Sequence, residues 1–249
     1  MKTCFSILIC LGLASIALGA PKKLPSYLQF CKRSDPNFDS CTVKLIENIR
    51  PQLAKGISQM QVPPLEPFVL PVLQVERDNE ALQVTAILKN LKVKGASAFQ
   101  INKLRTDIKN NLIELSVTLP HLDVTTDYDV KGRLLLVPLN GKGVFVSNIT
   151  NTRADLKITG KAIEKRGTKY LEVTDVVTKV KVGDSKMDFL GGGKGNDLIS
   201  SSSTQFIQQN RDQVMEIVNP LVEDTASAVV QQIANRILGS VPYDTILPP

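Results

Sequence analysis

His121-Leu122-Asp123-Val124-Thr125-Thr126-Asp127-Tyr128-Asp129-Val130-Lys131 alternates without a break. Its even positions carry Leu122, Val124, Thr126, Tyr128 and Val130, while its odd positions are charged or polar throughout. Successive side chains of a β-strand point to opposite faces, so this period of two describes a strand with one covered and one wetted face. The same period recurs on both sides, in Leu82/Val84/Ala86/Leu88, Ile113/Leu115/Val117/Leu119, Ala154/Leu156/Ile158 and Val180/Val182. Turn-forming runs separate these segments: Arg77-Asp78-Asn79, Asn140-Gly141-Lys142-Gly143 and Lys165-Arg166-Gly167-Thr168. No helical pattern intervenes between residues 72 and 189. Parallel strands need long crossovers, so the sheet is antiparallel and parallel nucleotide-binding folds are excluded.

Beyond Gly191-Gly192-Gly193-Lys194-Gly195 the period becomes helical. Ile207, Val214, Ile217, Val218, Leu221, Val222, Thr225, Val229, Ile233 and Ile237 make one stripe, with Ser203 or Thr204 as caps and Gly239 as the stop. The spacing predicts one helix from Ser203 to Leu238, about 54 Å long and bent at Pro220. It has no heptad partner, so its stripe must be buried on the strands. Upstream, Val43, Ile46, Ile49 or Arg50, Leu53 and Ile57 predict a helix from Asp39 to Ile57, interrupted or restarted at Pro51. The proline-dense stretch 62–71 reads as an extended connector, since it suits neither a helix nor a central strand.

Composition sets the class. Apolar residues make up 43% of the 249 and charged residues 22%, which is the balance of a globular chain with a real core. The absence of Trp and the single His121 argue against carbohydrate platforms, histidine metal cages and imidazole-centred catalysis. Residues 1–19 have the plan of a secretory signal peptide: Lys2, an apolar run from Phe5 to Leu18, and small residues Ala17, Gly19 and Ala20 around a cut after Gly19. The expected mature chain, 20–249, is one secreted, extracellular domain without a transmembrane anchor. Net charge +6 drops by one when Lys2 leaves, and the remaining excess is too spread out to call for nucleic acid. The same cut removes Cys4 and Cys10, leaving Cys31 and Cys41 to form one disulfide that ties an N-terminal arm to the first helix. Asn148-Ile149-Thr150 is a glycosylation sequon, with Asn148 as the candidate acceptor.

Motifs for chemistry are weak. Gly95-Ala96-Ser97-Ala98-Phe99 has Phe99 where a nucleophile elbow needs its second glycine, although Asp107 and His121 follow in hydrolase order. Asp127, Asp129 and Gly132 begin like a calcium loop, but Lys131 and Pro138 occupy two ligand positions. The glycine run at 191–195 lacks the Gly-Lys-Ser/Thr order of a phosphate loop. Lys157, Lys161, Lys165, Arg166, Lys169, Lys179 and Lys181 fall on outward positions and turns, where solvation or edge protection competes with attraction to an anionic surface. What remains is an apolar surplus. A long helix against a curved sheet leaves a tunnel that suits a lipid-like molecule. Side chains that simply fill the space would show the same periodicities.

The order of features resembles the takeout and juvenile-hormone-binding family of secreted insect proteins. The resemblance rests on Cys31 and Cys41 flanking Ser34-Asp35-Pro36; Leu53-Ala54-Lys55-Gly56-Ile57; Pro64-Leu65-Glu66-Pro67; and Leu91-Lys92-Val93-Lys94-Gly95 running into Ser97. It continues through Tyr128-Asp129-Val130-Lys131-Gly132, Leu134-Leu135-Leu136-Val137-Pro138, Gly141-Lys142-Gly143, the helix with Pro220, and Val241-Pro242-Tyr243. A single cysteine pair places the chain nearer the takeout branch, and residues 196–210 depart from the Asn- and Leu-rich pattern usual before the last helix. The resemblance implies an α+β fold in one domain, a long C-terminal helix wrapped by a highly curved antiparallel sheet. It also implies no catalysis, cofactor or metal, and an apolar tunnel for a terpenoid hormone, fatty acid or quinone-like lipid.

The expected protein is therefore a monomeric carrier of a small lipophilic ligand in haemolymph, its delivery receptor unspecified. The competing expectation is a secreted surface protein whose basic face binds anionic membranes or bacterial lipid. The expected tunnel lining is Leu115, Val117, Leu122, Val124, Thr126, Tyr128 and Val130 from the strands, with Val214, Val218, Leu221 and Val222 from the helix. Tyr128 and Thr126 are the expected polar contacts, because they share parity with Leu122, Val124 and Val130.

Overall fold

The computed structural model describes residues 24–190 and 201–249. The expected leader, the glycine run at 191–195 and the first part of the departing segment at 196–210 lie outside the described residues. Two helices open the chain, α1 (Phe38–Asn48) and α2 (Arg50–Lys55). Pro51 sits in the first turn of α2, where an N–H has no intrahelical acceptor to lose. The Cys31–Cys41 disulfide fastens the arm to α1.

Among the described residues eight strands follow: β1 (Phe68–Asp78), β2 (Leu82–Lys94), β3 (Gln100–Asp107), β4 (Leu112–Leu134), β5 (Val137–Pro138), β6 (Gly141–Lys165), β7 (Thr168–Lys181) and β8 (Ser185–Leu190). They form one antiparallel sheet along the path β1-β2-β4-β6-β7, with β3 and β5 paired to β4 and β8 paired to β6. The connector expected over 62–71 is shorter than its prolines suggested, because β1 already begins at Phe68 and carries Pro71. An edge strand accepts a residue without an N–H, and the pairing steps from Leu70↔Leu91 to Val72↔Lys89 past it.

β4 and β6 run for 23 and 25 residues. At about 3.3 Å per residue the longer one would span roughly 80 Å, well beyond the ~45 Å breadth of a globular chain this size. The strands must coil, and interruptions in their ladders let them. Register shifts fall in β2 at Lys89/Lys92, in β3 at Ile101/Lys103, and between β6 and β7 at Thr159/Gly160. Asn90 and Asn151 take left-handed φ values of 52° where a ladder is interrupted, a conformation that asparagine tolerates better than most residues. Gly95 and Gly132 sit where backbones nearly touch. A Cβ on Gly95 would lie 2.2 Å from the His121 carbonyl oxygen, and one on Gly132 2.0 Å from that of Gln83.

Three helices close the chain: α3 (Ser201–Gln209), α4 (Arg211–Leu238) and α5 (Tyr243–Ile246). The single helix expected from Ser203 to Leu238 is thus divided at Asn210. The backbone N–H and side-chain amide of Asn210 both donate to the Phe206 carbonyl and end α3, while its own carbonyl receives the Val214 N–H and starts α4. Pro220 lies inside α4. Packed clusters form near both ends of α4. Val214 joins Leu82, Leu134 and Ile207 near its start, and Ile237 packs against Ile57, Met60 and Val241 near its finish. The whole is an α+β fold, a curled antiparallel sheet around a C-terminal helix.

Candidate functional site

Between the two end clusters the sheet presents a largely apolar wall, interrupted by the buried Thr126, Ser147, Thr152 and Thr178. Its register explains how residues of opposite parity reach one face. In β4 the covered positions are Leu122, Val124, Thr126, Tyr128 and Val130, all even. Further toward the start of β4, Leu115 pairs with Leu156, which pairs in turn with the buried Thr178 of β7, so the positions on the face of Thr178 there are odd, although Ser116 on the opposite face is itself buried. The neighbouring rows Glu114–Lys157–Val177 and Ser116–Asp155–Lys179 face the other way. The switch lies between Leu119 and His121, where the ladder is interrupted at Pro120 and Asn151, and Asn151 is left-handed. Leu115 and Val117 therefore share the face of Leu122 and Val124, although strict alternation would separate them.

Tyr128 and Val130 form a buried cluster with Val84, Ala86, Leu88, Phe145 and Phe189. The Tyr128 ring stands edge-on to Phe189 at 5.6 Å between centroids. Thr126 is buried too, but its hydroxyl donates to the Lys89 carbonyl at 2.9 Å and so closes the irregularity in β2. Farther along the wall, Leu88, Leu115, Val117, Leu122, Val124 and Leu156 are only half-buried despite facing inward. On α4, Val214, Val218 and Leu221 pack with Leu82 and Leu134, whereas Val222 stays exposed.

The helix is joined to the two edges of the sheet in different ways. Along β7, side chains four residues apart on α4 replace the missing neighbour strand. Glu223 accepts from the Val180 N–H at 3.0 Å, and Ser227 from the Thr178 N–H at 3.0 Å. Gln231 donates to the Thr174 carbonyl, and Asn235 both accepts from the Val173 N–H at 2.7 Å and donates to the Val173 carbonyl at 2.9 Å. Glu223 also receives the Lys179 ammonium at 2.7 Å. Burial pushes its carboxyl up, but the bond from Lys179 and the Val180 N–H outweigh that and hold it below the usual glutamate range. Along β1 the helix is bridged by Arg77 to Asp224 at 2.5 Å, beside a groove of about 340 Å³ lined by Leu73, Val75, Leu221, Thr225, Ala228 and Val229. Sequence reasoning missed the sealing residues. Their signal was a polar series at a spacing of four, Glu223, Ser227, Gln231 and Asn235, beside the apolar stripe.

The remaining candidates fall elsewhere. The Ser97 hydroxyl donates to Glu66, Asp107 bonds Asn110, and the His121 ring meets Asp123 and Asn148, so the three hydrolase-ordered residues occupy separate networks. Asp127 accepts from Asn90, and Asp129 pairs with Lys142. Asn148 is exposed on β6, its amide donating to Asp123 at 2.9 Å. Of the outward basic residues, Lys161 pairs with Glu172 and Lys179 with Glu223. Among the described residues no helix is long and apolar enough to cross a membrane.

Comparison with known proteins agrees with this architecture. The solved structure of Takeout 1 from Epiphyas postvittana superposes with a TM-score of 0.65 at 23% identity, covering 84% of this chain and 96% of that one. The circadian clock-controlled protein daywake of Drosophila yakuba is 26% identical over 242 residues, 94% of this chain and 92% of its own. A proposed beta-carotene-binding protein of Schistocerca gregaria is 22% identical over 224 residues, 89% of this chain and 88% of its own. The family model for haemolymph juvenile hormone binding protein matches residues 6–248, and the chain belongs to that family.

Proposed function

We propose that the protein is a secreted, non-enzymatic carrier that holds one small lipophile between the curled sheet and α4. The observation that carries this reading is the apolar wall itself, which faces inward yet keeps solvent exposure between two packed ends. A core packed to native density would cover those residues. A relative proposed to bind beta-carotene and a family described by hormone binding support the same class of cargo. Covering about 400 Å² of ligand at roughly 25 cal/mol/Å² yields a gross term of about 10 kcal/mol, before the costs of association and ordering. That is enough for micromolar to nanomolar binding. In this reading the cluster around Tyr128 and Phe189 forms one end of the cargo space.

Native mass spectrometry, followed by organic extraction of protein from a eukaryotic secretion host, tests it. A stoichiometric co-purifying lipid is the expected result and names the cargo's class. Protein that emerges empty and takes up no terpenoid, fatty acid or quinone would overturn the reading.

A further inference from the structure

The polar series on α4 has one member with no strand to cap. Ser227 meets β7 at Thr178 and Glu223 meets it at Val180, so over this turn the helix advances two strand residues, close to the match of the pitches of about 5.4 Å and 6.6 Å. The same advance over one more turn carries Asn219 to the level of residue 182, and β7 ends at Lys181. In β6 the pairing of Arg153 with Lys181 puts Thr152 at that same level. Thr152 follows the left-handed Asn151 and shares parity with Ala154 and Leu156, so it belongs to the inner wall.

Both side chains hold an oxygen that no described residue satisfies. Thr152 is 6% exposed, and among the described residues neither its Oγ1 nor the Oδ1 of Asn219 has a hydrogen-bond partner. Valine would fill the space of Thr152 without burying an unpaired hydroxyl, and leucine would serve the same purpose at Asn219. An amide oxygen only accepts, so it disfavours a carboxylate and takes an O–H donor. The nearby cation Arg211 is already engaged, by the Gly183 carbonyl and by Asp212.

We propose that Thr152 and Asn219 form a polar subsite in the inner wall that receives the hydroxyl of a lipophilic alcohol. The ligand O–H donates to Asn219 Oδ1, and its oxygen accepts from the Thr152 hydroxyl. The proposal rests on the carrier reading and assigns it a chemical class, a neutral alcohol.

Displacement of a fluorescent apolar dye by 1-dodecanol and by dodecane tests both levels. The wild type should prefer the alcohol. Thr152→Val combined with Asn219→Leu should reduce that preference about tenfold while leaving dodecane affinity unchanged. Thr152→Ser, which keeps the hydroxyl, should retain most of it, and equal melting temperatures would show that each variant is folded. A wild type without preference, or a double variant that keeps it, overturns the subsite and leaves the carrier standing. A wild type that binds neither compound overturns both.

Discussion

Glu223 links three parts of the molecule through one carboxylate: α4, the Val180 backbone N–H and the Lys179 ammonium. The two bonds differ in worth. Lys179 is largely exposed, so the ion pair is screened and contributes little. The Val180 N–H is part-buried, and leaving it without an acceptor costs about 1–3 kcal/mol. Glu223→Gln should therefore lower stability slightly and Glu223→Ala substantially. The folded carboxyl lies below its ordinary value of 4.5, so its charge contributes stability above that value and loses it as pH falls through the folded value. The gap between wild type and Glu223→Gln should close at a pH below the folded value, measured by thermal melts across pH. A gap that stayed constant down to that pH would mean that the charge contributes nothing.

At the scale of elements, the helix is fixed to one edge of the sheet and lies loosely along the other. β7 gains acceptors or donors from Glu223, Ser227, Gln231 and Asn235, whereas β1 shares the exposed Arg77–Asp224 pair and a groove. Asn235→Ala removes an acceptor and a donor from Val173 together, so amide exchange there should accelerate about tenfold or more. Arg77→Ala should leave exchange in β1 unchanged and stability within about 0.5 kcal/mol of wild type. Comparable losses from both variants would mean that the two edges are held alike. The division at Asn210 belongs to this scale too. The apolar stripe runs across it unchanged, because periodicity records which face is covered and not whether each residue keeps helical dihedrals. The break is made by Asn210 itself, which turns its amide back onto Phe206.

For the whole molecule, the two expected partners separate by their response to salt. Cargo held against apolar side chains should bind with nearly the same affinity at low and high ionic strength, since no net charge is neutralised. Attachment of the basic face to anionic vesicles should weaken steeply over the same range. Of the seven outward cations, Lys161 and Lys179 are already paired with Glu172 and Glu223. Titrating dodecanol and phosphatidylserine vesicles at two salt concentrations checks this, and salt-sensitive uptake of the neutral ligand would count against burial between sheet and helix. Local periods, turn chemistry and a count of cysteines were enough to read the antiparallel sheet, the disulfide, the strand faces within each uninterrupted run and the C-terminal helical stripe. Each of these depends on neighbours close in the chain. That Leu115 and Val117 share one wall with Leu122 and Val124, as the expected lining groups them, does not follow from alternation, because the interruption at Pro120 and at Asn151 on the neighbouring strand resets parity for everything beyond it. The sealing of β7 by a polar series on α4 was equally hidden, because which strand lies at an edge is settled by pairings far apart in the chain.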